Sequence, residues 1–378
     1  MFAAETIDKL NKVVADCTKR DQRLLEDLRA DARTLREAAQ PIREQQTTSI
    51  AMVASDGGNN RVRYDPFLIQ LVRVVDSFGL ELCMEAVSPT SNTDELSEAQ
   101  FDTGGEPDSA LGRLMRDVAV PNPPVRKLAD LAYGSIPPGN ADPLSIKDVW
   151  VQTYRDLWEW AVLYDRVAYT EFGTHTLLVR DGLLRAKYFR PPYFRNLIDQ
   201  LQMATVRQAK EHKRNVFLVG VAKHSQVIDR YRLAMTIEDV FPDGSPWYVA
   251  VPPSMEAKAY AWPEWTNNPD FTGGVLYLVR FGPRTGDPIW AIDLMRGSES
   301  RAPEIFGCLM ADARDGFPMP FYPSCLQRAH EYAEVVDWDL EIFQAALISS
   351  VRSLVPAGRK DAVDAQRLMS DTSGRRYQ

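Results

Sequence analysis

Three strand-like segments follow one another between residues 49 and 87 with no room for a helix between them, and this restricts the fold more than any other feature. Residues 49–60 (SIAMVASDGGNN) are a short apolar run ending in Asp-Gly-Gly-Asn, which reads as a strand followed by a tight turn. Residues 66–76 (PFLIQLVRVVD) and 79–87 (GLELCMEAV) are joined by Ser-Phe-Gly and read as an antiparallel hairpin. The three can pair as a meander.

Residues 88–142 are rich in Pro, Gly, Asp, Ser and Asn, with one helix expected near 109–118, and read as a surface excursion. Ser145 opens a helix to about Tyr169 whose aromatic and aliphatic residues recur all round, as in a buried helix. Residues 174–180 (THTLLVR) are a fourth strand, 192–212 a helix, and 215–222 (NVFLVGVA) a fifth strand, near-continuously apolar as a central strand should be. Three meandering strands, a helix, a strand, a helix and a strand is the order of an RNase H-like α/β core, a mixed sheet flanked by helices.

Residues 1 to about 40 read as one long helix ended by Pro41. Its stripe of Ile7, Leu10, Val14, Cys17, Leu24, Leu28 and Leu35 is interrupted by Asp21 and Asp31, so it suits docking on its own domain or on a partner better than a sustained coiled coil. Beyond Asp239 the chain offers a hairpin (275–281 with 288–295), helices near 302–313 and 326–352, and a polar, fraying end. The expected organisation is an N-terminal helix (1–44), a main domain (45–355) carrying the 88–142 excursion, and a tail (356–378).

No apolar run approaches the roughly 20 residues that cross a bilayer, and the N-terminus lacks the features of a signal peptide, so the cytoplasm is the expected location, with no membrane. Cys17, Cys83, Cys308 and Cys325 are widely separated, which points to neither a zinc site nor a disulfide framework. A net charge of −8 excludes coating nucleic acid through global charge. Any such contact must be local, at clusters such as Arg180, Arg185, Lys187 and Arg190, or Lys210, Lys213 and Arg214, which ordinary solvated faces explain equally well. There is no GxxxxGK[ST], HExxH, GxSxG, or GxGxxG after a strand, so nucleotide-driven motors, zinc proteases, serine hydrolases and dinucleotide enzymes are not indicated.

Two strands end alike, at Asp56-Gly57 and Asp181-Gly182. A lone Asp-Gly is an ordinary turn, but two on neighbouring strands can share a cation. Magnesium and manganese take oxygen ligands, so phosphodiester cleavage calls for converging carboxylates. Glu159, inside the aromatic run 157–160 on the helix before the fourth strand, is a candidate third ligand; alternatively it faces solvent or pairs with Arg155. Asp165, Glu171 and Glu85 are weaker rivals. Lys223, just after the fifth strand, stands where a cation can offset charge on a phosphate, or is a snorkelling surface lysine. His330, on a late helix, can orient a water or protonate a leaving group, or be structural.

In this order, residues 51–58 (AMVASDGG), 178–182 (LVRDG), 219–223 (VGVAK) and 328–330 (RAH) resemble the NurA nuclease family over roughly residues 45–350. The resemblance implies a manganese- or magnesium-dependent nuclease acting on DNA ends and single strands, a homodimer, and a HerA-type hexameric helicase/translocase as partner in resection or genome defence. Position by position, it implies Asp56 and Asp181 as metal ligands, Glu159 as the helical carboxylate, Lys223 as the phosphate-facing lysine and His330 as the late catalytic histidine, while the basic cluster supplies Arg180, Arg185 and Lys187 as the candidate DNA contacts. Gly58 stands where the family often has a serine. The other readings are a catalytically silent RNase H-like adaptor and an RNase H-like enzyme acting on RNA or junctions.

Overall fold

The computed structural model describes residues 4–45, 50–64, 67–132, 134–142, 149–260, 266–335, 337–363 and 365. Ser49, Pro66, Ser145 and residues 366–378, where sequence reading placed element starts and the tail, lie outside them. The described strands are β1 (Gln40–Pro41), β2 (Ile50–Tyr64), β3 (Phe67–Asp76), β4 (Glu81–Val87), β5 (His175–Asp181), β6 (Val216–Ala222), β7 (Trp247–Ala250), β8 (Gly274–Arg280) and β9 (Ile289–Met295). The helices are α1 (Ala4–Arg20), α2 (Gln22–Ala38), α3 (Thr93–Glu98), α4 (Ala110–Asp117), α5 (Leu128–Leu131), α6 (Val149–Tyr169), α7 (Tyr193–Glu211), α8 (Gln226–Ile237), α9 (Pro253–Ala259), α10 (Ala302–Ala313), α11 (Ser324–Ala333) and α12 (Asp337–Leu354). The chain divides into two compact units: Met1–Ser49, Gly182–Arg185 and Phe217–Ser324 form one, and Ile50–Asp181, Ala186–Val216 and Cys325–Gln378 the other.

The second unit holds the RNase H-like arrangement. Its strands run β5-β2-β3-β4, with β2 parallel to β5 and the β2-β3-β4 meander antiparallel, and α6 precedes β5 in the chain as the crossover helix. The meander and both helices flanking β5 fall where the apolar patterning puts them. β2 does not. It continues through Gly57 and Gly58 to Tyr64, paired with β3 from Ser55↔Asp76 to Tyr64↔Phe67, so Asp56 lies within the strand and not before a turn. The glycines answer a different need. A Cβ on Gly57 would stand 2.4 Å from Oε1 of Glu159 on α6, and one on Gly58 would stand 2.2 Å from the backbone oxygen of Ala333 on α11. They admit helices to close approach from opposite faces.

Helix α6 is buried on nearly every side, as its aromatic run requires, with Tyr154, Leu157, Trp160, Ala161 and Val167 fully enclosed. Segment 88–142 carries α3, α4 and α5, and Leu111, Leu114 and Met115 of α4 are buried. Asn92 and Ser109 cap α3 and α4, accepting from the N–H groups of Asp94 and Gly112. The far end of α12 packs Leu347, Ile348 and Val351 against Val62 and Tyr64, and Val363 joins them while its carbonyl accepts from the Tyr64 hydroxyl at 2.7 Å. The start of the expected tail is therefore anchored.

The first unit is an antiparallel sheet in the order β1-β7-β8-β9-β6, including the expected β8–β9 hairpin. The long N-terminal helix is two helices meeting at Asp21. Ala32 and Leu35 of α2 are buried against α8 and its neighbours, whereas Ile7, Leu10, Val13 and Val14 of α1 are exposed. Asp31, read as an interruption of the stripe, pairs with Lys258 at 2.8 Å and accepts from Tyr231 at 3.1 Å. No helix among the described residues is long and apolar enough to cross a membrane. Cys17, Cys83, Cys308 and Cys325 form no disulfide among the described residues.

Candidate metal centre

The parallel ladder of β2 and β5 ends at Ser55↔Arg180, so the next residue on each strand is an aspartate. Side chains alternate across a sheet, and Asp56 and Asp181 therefore share a face while Ser55 and Arg180 share the other. Helix α11 covers the aspartate face. Nδ1 of His330 lies 2.8 Å from Oδ2 of Asp56, and Oδ1 of Asp56 accepts from the Gly57 N–H at 2.7 Å. One donor atom from each of Asp56, Asp181 and His330 lies within 4.8 Å of the others. Asp56 is buried, Asp181 half-buried and His330 exposed, so the centre opens from a fixed floor to solvent.

What holds His330 in place is the end of its helix. The last carbonyls of a helix lack intrahelical partners, and strand side chains supply them here. Nη1 of Arg73 donates to the Tyr332 oxygen at 2.8 Å, and Nδ2 of Asn60 donates to the Ala333 oxygen at 3.4 Å while Oδ1 of Asn60 accepts from the Val335 N–H. Sequence reading passed over both residues. Asn60 sits in a Gly-Gly-Asn-Asn stretch that looks like a turn, and nothing local to Arg73 announces a partner 259 residues away.

Glu159 does not join the group. It comes from α6, on the face that Gly57 looks toward, and its carboxylate is taken by Nη2 of Arg180 at 3.0 Å and Nε of Arg155 at 3.3 Å. The pairing with Arg155 was one of its sequence-level alternatives. Burial pushes its carboxyl up from the ordinary glutamate range, against the pull of the Arg180 and Arg155 guanidiniums.

Two of the expected DNA-contacting residues are engaged by carboxylates of the protein itself. Arg180 is buried, ion-paired with Glu159 and stacked 4.8 Å from the Trp160 ring centre. In the first unit, Nε and Nη2 of Arg185 grip Asp293 at 2.8 and 2.9 Å while Nη1 contacts Glu256. Arg180 is held by one buried carboxylate and Arg185 by two. Lys187 is exposed. Lys223 follows β6 in the first unit, half-buried, with its ammonium 5.3 Å from the Tyr322 ring centre. Asp165 pairs with Arg113 at 2.5 Å, Glu171 is an exposed neighbour of His212, and Glu85 on β4 is half-buried.

The fold and these three donors define an RNase H-like α/β protein with a candidate divalent-cation centre. No family model matches the chain, and no curated protein matches it. Among solved structures the chain is similar to the NurA nuclease from Sulfolobus solfataricus, at 13% identity and a TM-score of 0.42 over 94% of this chain and 99% of that one. It is also similar to NurA with manganese, at 12% identity and 0.40 over 93% and 99%, and to NurA bound to dAMP and manganese, at 10% and 0.37 over 89% and 94%. These bear the name of the family that the motif order resembles. At such identities and scores, no activity is carried from those proteins to this one.

Proposed function

We propose that the protein hydrolyses nucleic-acid phosphodiester bonds at a divalent-cation centre held by Asp56, Asp181 and His330. The convergence of their donor atoms within 4.8 Å is the observation that carries this reading. Donors about 2.0–2.2 Å from an octahedral ion lie roughly 3 Å apart when adjacent and roughly 4 Å apart when opposite, so the 2.8 Å between Asp56 and His330 matches adjacent positions, and a spread of up to 4.8 Å calls for a small inward shift of the outermost donor. Two carboxylate oxygens suit either magnesium or manganese, and the one imidazole favours manganese of the two. An ion there would supply Lewis-acid stabilisation of a phosphodiester and a nucleophilic water at neutral pH.

The chain's own groups do the rest. Asp56 and Asp181 bring the negative charge that recruits a cation, and an ion held there would take the place of the proton that Asp56 and Nδ1 of His330 share at 2.8 Å. The other ring nitrogen, Nε2, is 3.7 Å from Glu334 on the exposed side, which would orient the ring with Nδ1 toward the ion. Glu159, locked between Arg155 and Arg180, sets the floor beneath Gly57. Lys223 is proposed from motif order alone as the lysine that neutralises phosphate charge.

DNA ends and single strands as substrate, a homodimer, a cytoplasmic setting and a HerA-type translocase partner in resection, repair or phage defence are likewise proposed from the order of the motifs. The test is incubation of the purified protein with manganese or magnesium and, separately, single-stranded DNA, duplex DNA and RNA. Cleavage of DNA that Asp56→Asn and Asp181→Asn each abolish supports the reading. Cleavage that survives both substitutions, or no cleavage by the parent, removes it and leaves the adaptor.

A further inference from the structure

The turn between β3 and β4 holds two large apolar side chains out into solvent: Phe78 is 69% exposed and Leu80 58%. Tyr332 of α11, 46% exposed, lays its ring against the same turn, 3.7 Å from where Gly79 would carry a Cβ. Their exposure does not come from a loose loop. Gly79 takes φ +81°, Oδ1 of Asp76 accepts the N–H groups of Phe78 and Leu80 at 2.9 and 3.0 Å, and Oδ2 of Asp76 is held by Arg166 at 2.6 Å. Asp76 is itself buried, so the turn is pinned from beneath.

The patch adjoins the centre. Asp56 pairs with Val75 and Val75 with Glu81, so the end of the turn lies two strand spacings, about 10 Å, from Asp56. Tyr332 is two residues beyond His330 on the same helix, and its carbonyl is held by Arg73, which also pairs with Glu81 at 2.9 Å. A strand whose phosphate sits at Asp56 and His330 has its neighbouring nucleotides within reach of this turn. Unpaired bases offer flat apolar faces, and rigid aromatic side chains are what such faces stack on; paired bases in a duplex have those faces covered.

We propose that Phe78, Leu80 and Tyr332 form a base-stacking platform that grips unpaired bases beside the scissile phosphate, so that the enzyme favours single strands and frayed ends over closed duplex. The platform rests on the nuclease reading of the neighbouring centre. Its test separates the two by measuring binding without metal: fluorescence anisotropy of labelled oligo-dT in EDTA, for the parent, Phe78→Ala, Phe78→Trp and Tyr332→Ala. Phe78→Ala and Tyr332→Ala each weaken binding about tenfold, Phe78→Trp restores it to within about twofold of the parent, and the single-strand to blunt-duplex cleavage ratio falls in the alanine variants. Oligo-dT affinity within twofold of the parent in both alanine variants overturns the platform, as does an unchanged affinity accompanied by lost self-association, which would make the turn a protein interface. Failure of the parent to cleave any strand overturns the centre, and the binding series then decides the platform by itself.

Discussion

Replacing Gly57 by alanine probes the packing that keeps Glu159 apart from the two aspartates. Free of contacts, alanine within a strand is better than glycine by roughly 0.5–1 kcal/mol, so a site with room would gain stability. Here the new methyl would stand 2.4 Å from Oε1, 3.0 Å from Cγ and 3.1 Å from Cδ of Glu159. The carboxylate cannot swing aside cheaply, because Arg180 holds Oε2 at 3.0 Å and Arg155 lies 3.3 Å from Oε1. Crowding a packed interior costs about 1–3 kcal/mol, and parting a buried charge from its partner costs about 3–5 kcal/mol. A partial version of the second added to the first gives a net loss of about 2–4 kcal/mol for Gly57→Ala. The assay is urea unfolding of the parent, Gly57→Ala, Glu159→Ala and the double variant. With Glu159 truncated the methyl has space, so the glycine substitution then shifts stability by less than about 1 kcal/mol, giving a coupling of about 2 kcal/mol. A neutral or stabilising Gly57→Ala in the parent, or an equal cost in both backgrounds, refutes the close approach of α6 to β2.

Asp56→Asn and Asp181→Asn each lower manganese-dependent cleavage more than about a hundredfold, since changes merely behind metal ligands cost 10–100-fold, while thermal melting stays near that of the parent; a residual rate above a tenth of the parent's counts against the centre. Arg185→Leu leaves the buried carboxylates of Asp293 and Glu256 unpaired and costs about 3–5 kcal/mol in urea unfolding, whereas loss of DNA affinity without loss of stability would return Arg185 to a binding role. Burial raises the Glu85 carboxyl above its unfolded value, so the folded state holds its proton more tightly and stability falls as pH rises through and beyond the ordinary glutamate range. Glu85→Gln removes that dependence, and denaturation from pH 4 upward should show the parent losing ground to the variant; parallel curves contradict it.

The meander and the alternating helices and strands were legible because apolar runs of strand and helix length are a local signal. Asp56, Asp181 and His330 were legible as candidates, but their mutual geometry was not, since His330 meets Asp56 across 274 residues of chain. Glycine misled the reading of β2: Asp-Gly-Gly-Asn serves a turn and a close approach equally well, and only the helices packed on either side tell which applies. The arginines misled for a related reason. Arg180 and Arg185 look alike in a basic stretch, yet the buried carboxylates that hold them, Glu159, Asp293 and Glu256, come from elsewhere in the chain.

Parity along β2 explains why His330 and not Glu159 meets the aspartates. Asp56 and Gly58 face α11, whereas Gly57 faces α6. Each helix can offer side chains only to its own face, so α11 supplies the third donor to Asp56 and Asp181, and the carboxylate of α6 is left to pair with Arg180, which shares its face. A shift of one residue in the β2–β5 register would exchange these sets and bring position 57, which has no side chain, opposite His330. The parallel ladder from Ile50↔His175 to Ser55↔Arg180, with Ile50 and Ala54 of β2 and Leu177, Leu178 and Val179 of β5 buried, is what forbids that shift. The apolar residues of β2 and β5 thus determine the composition of the centre as firmly as the acidic ones that form it.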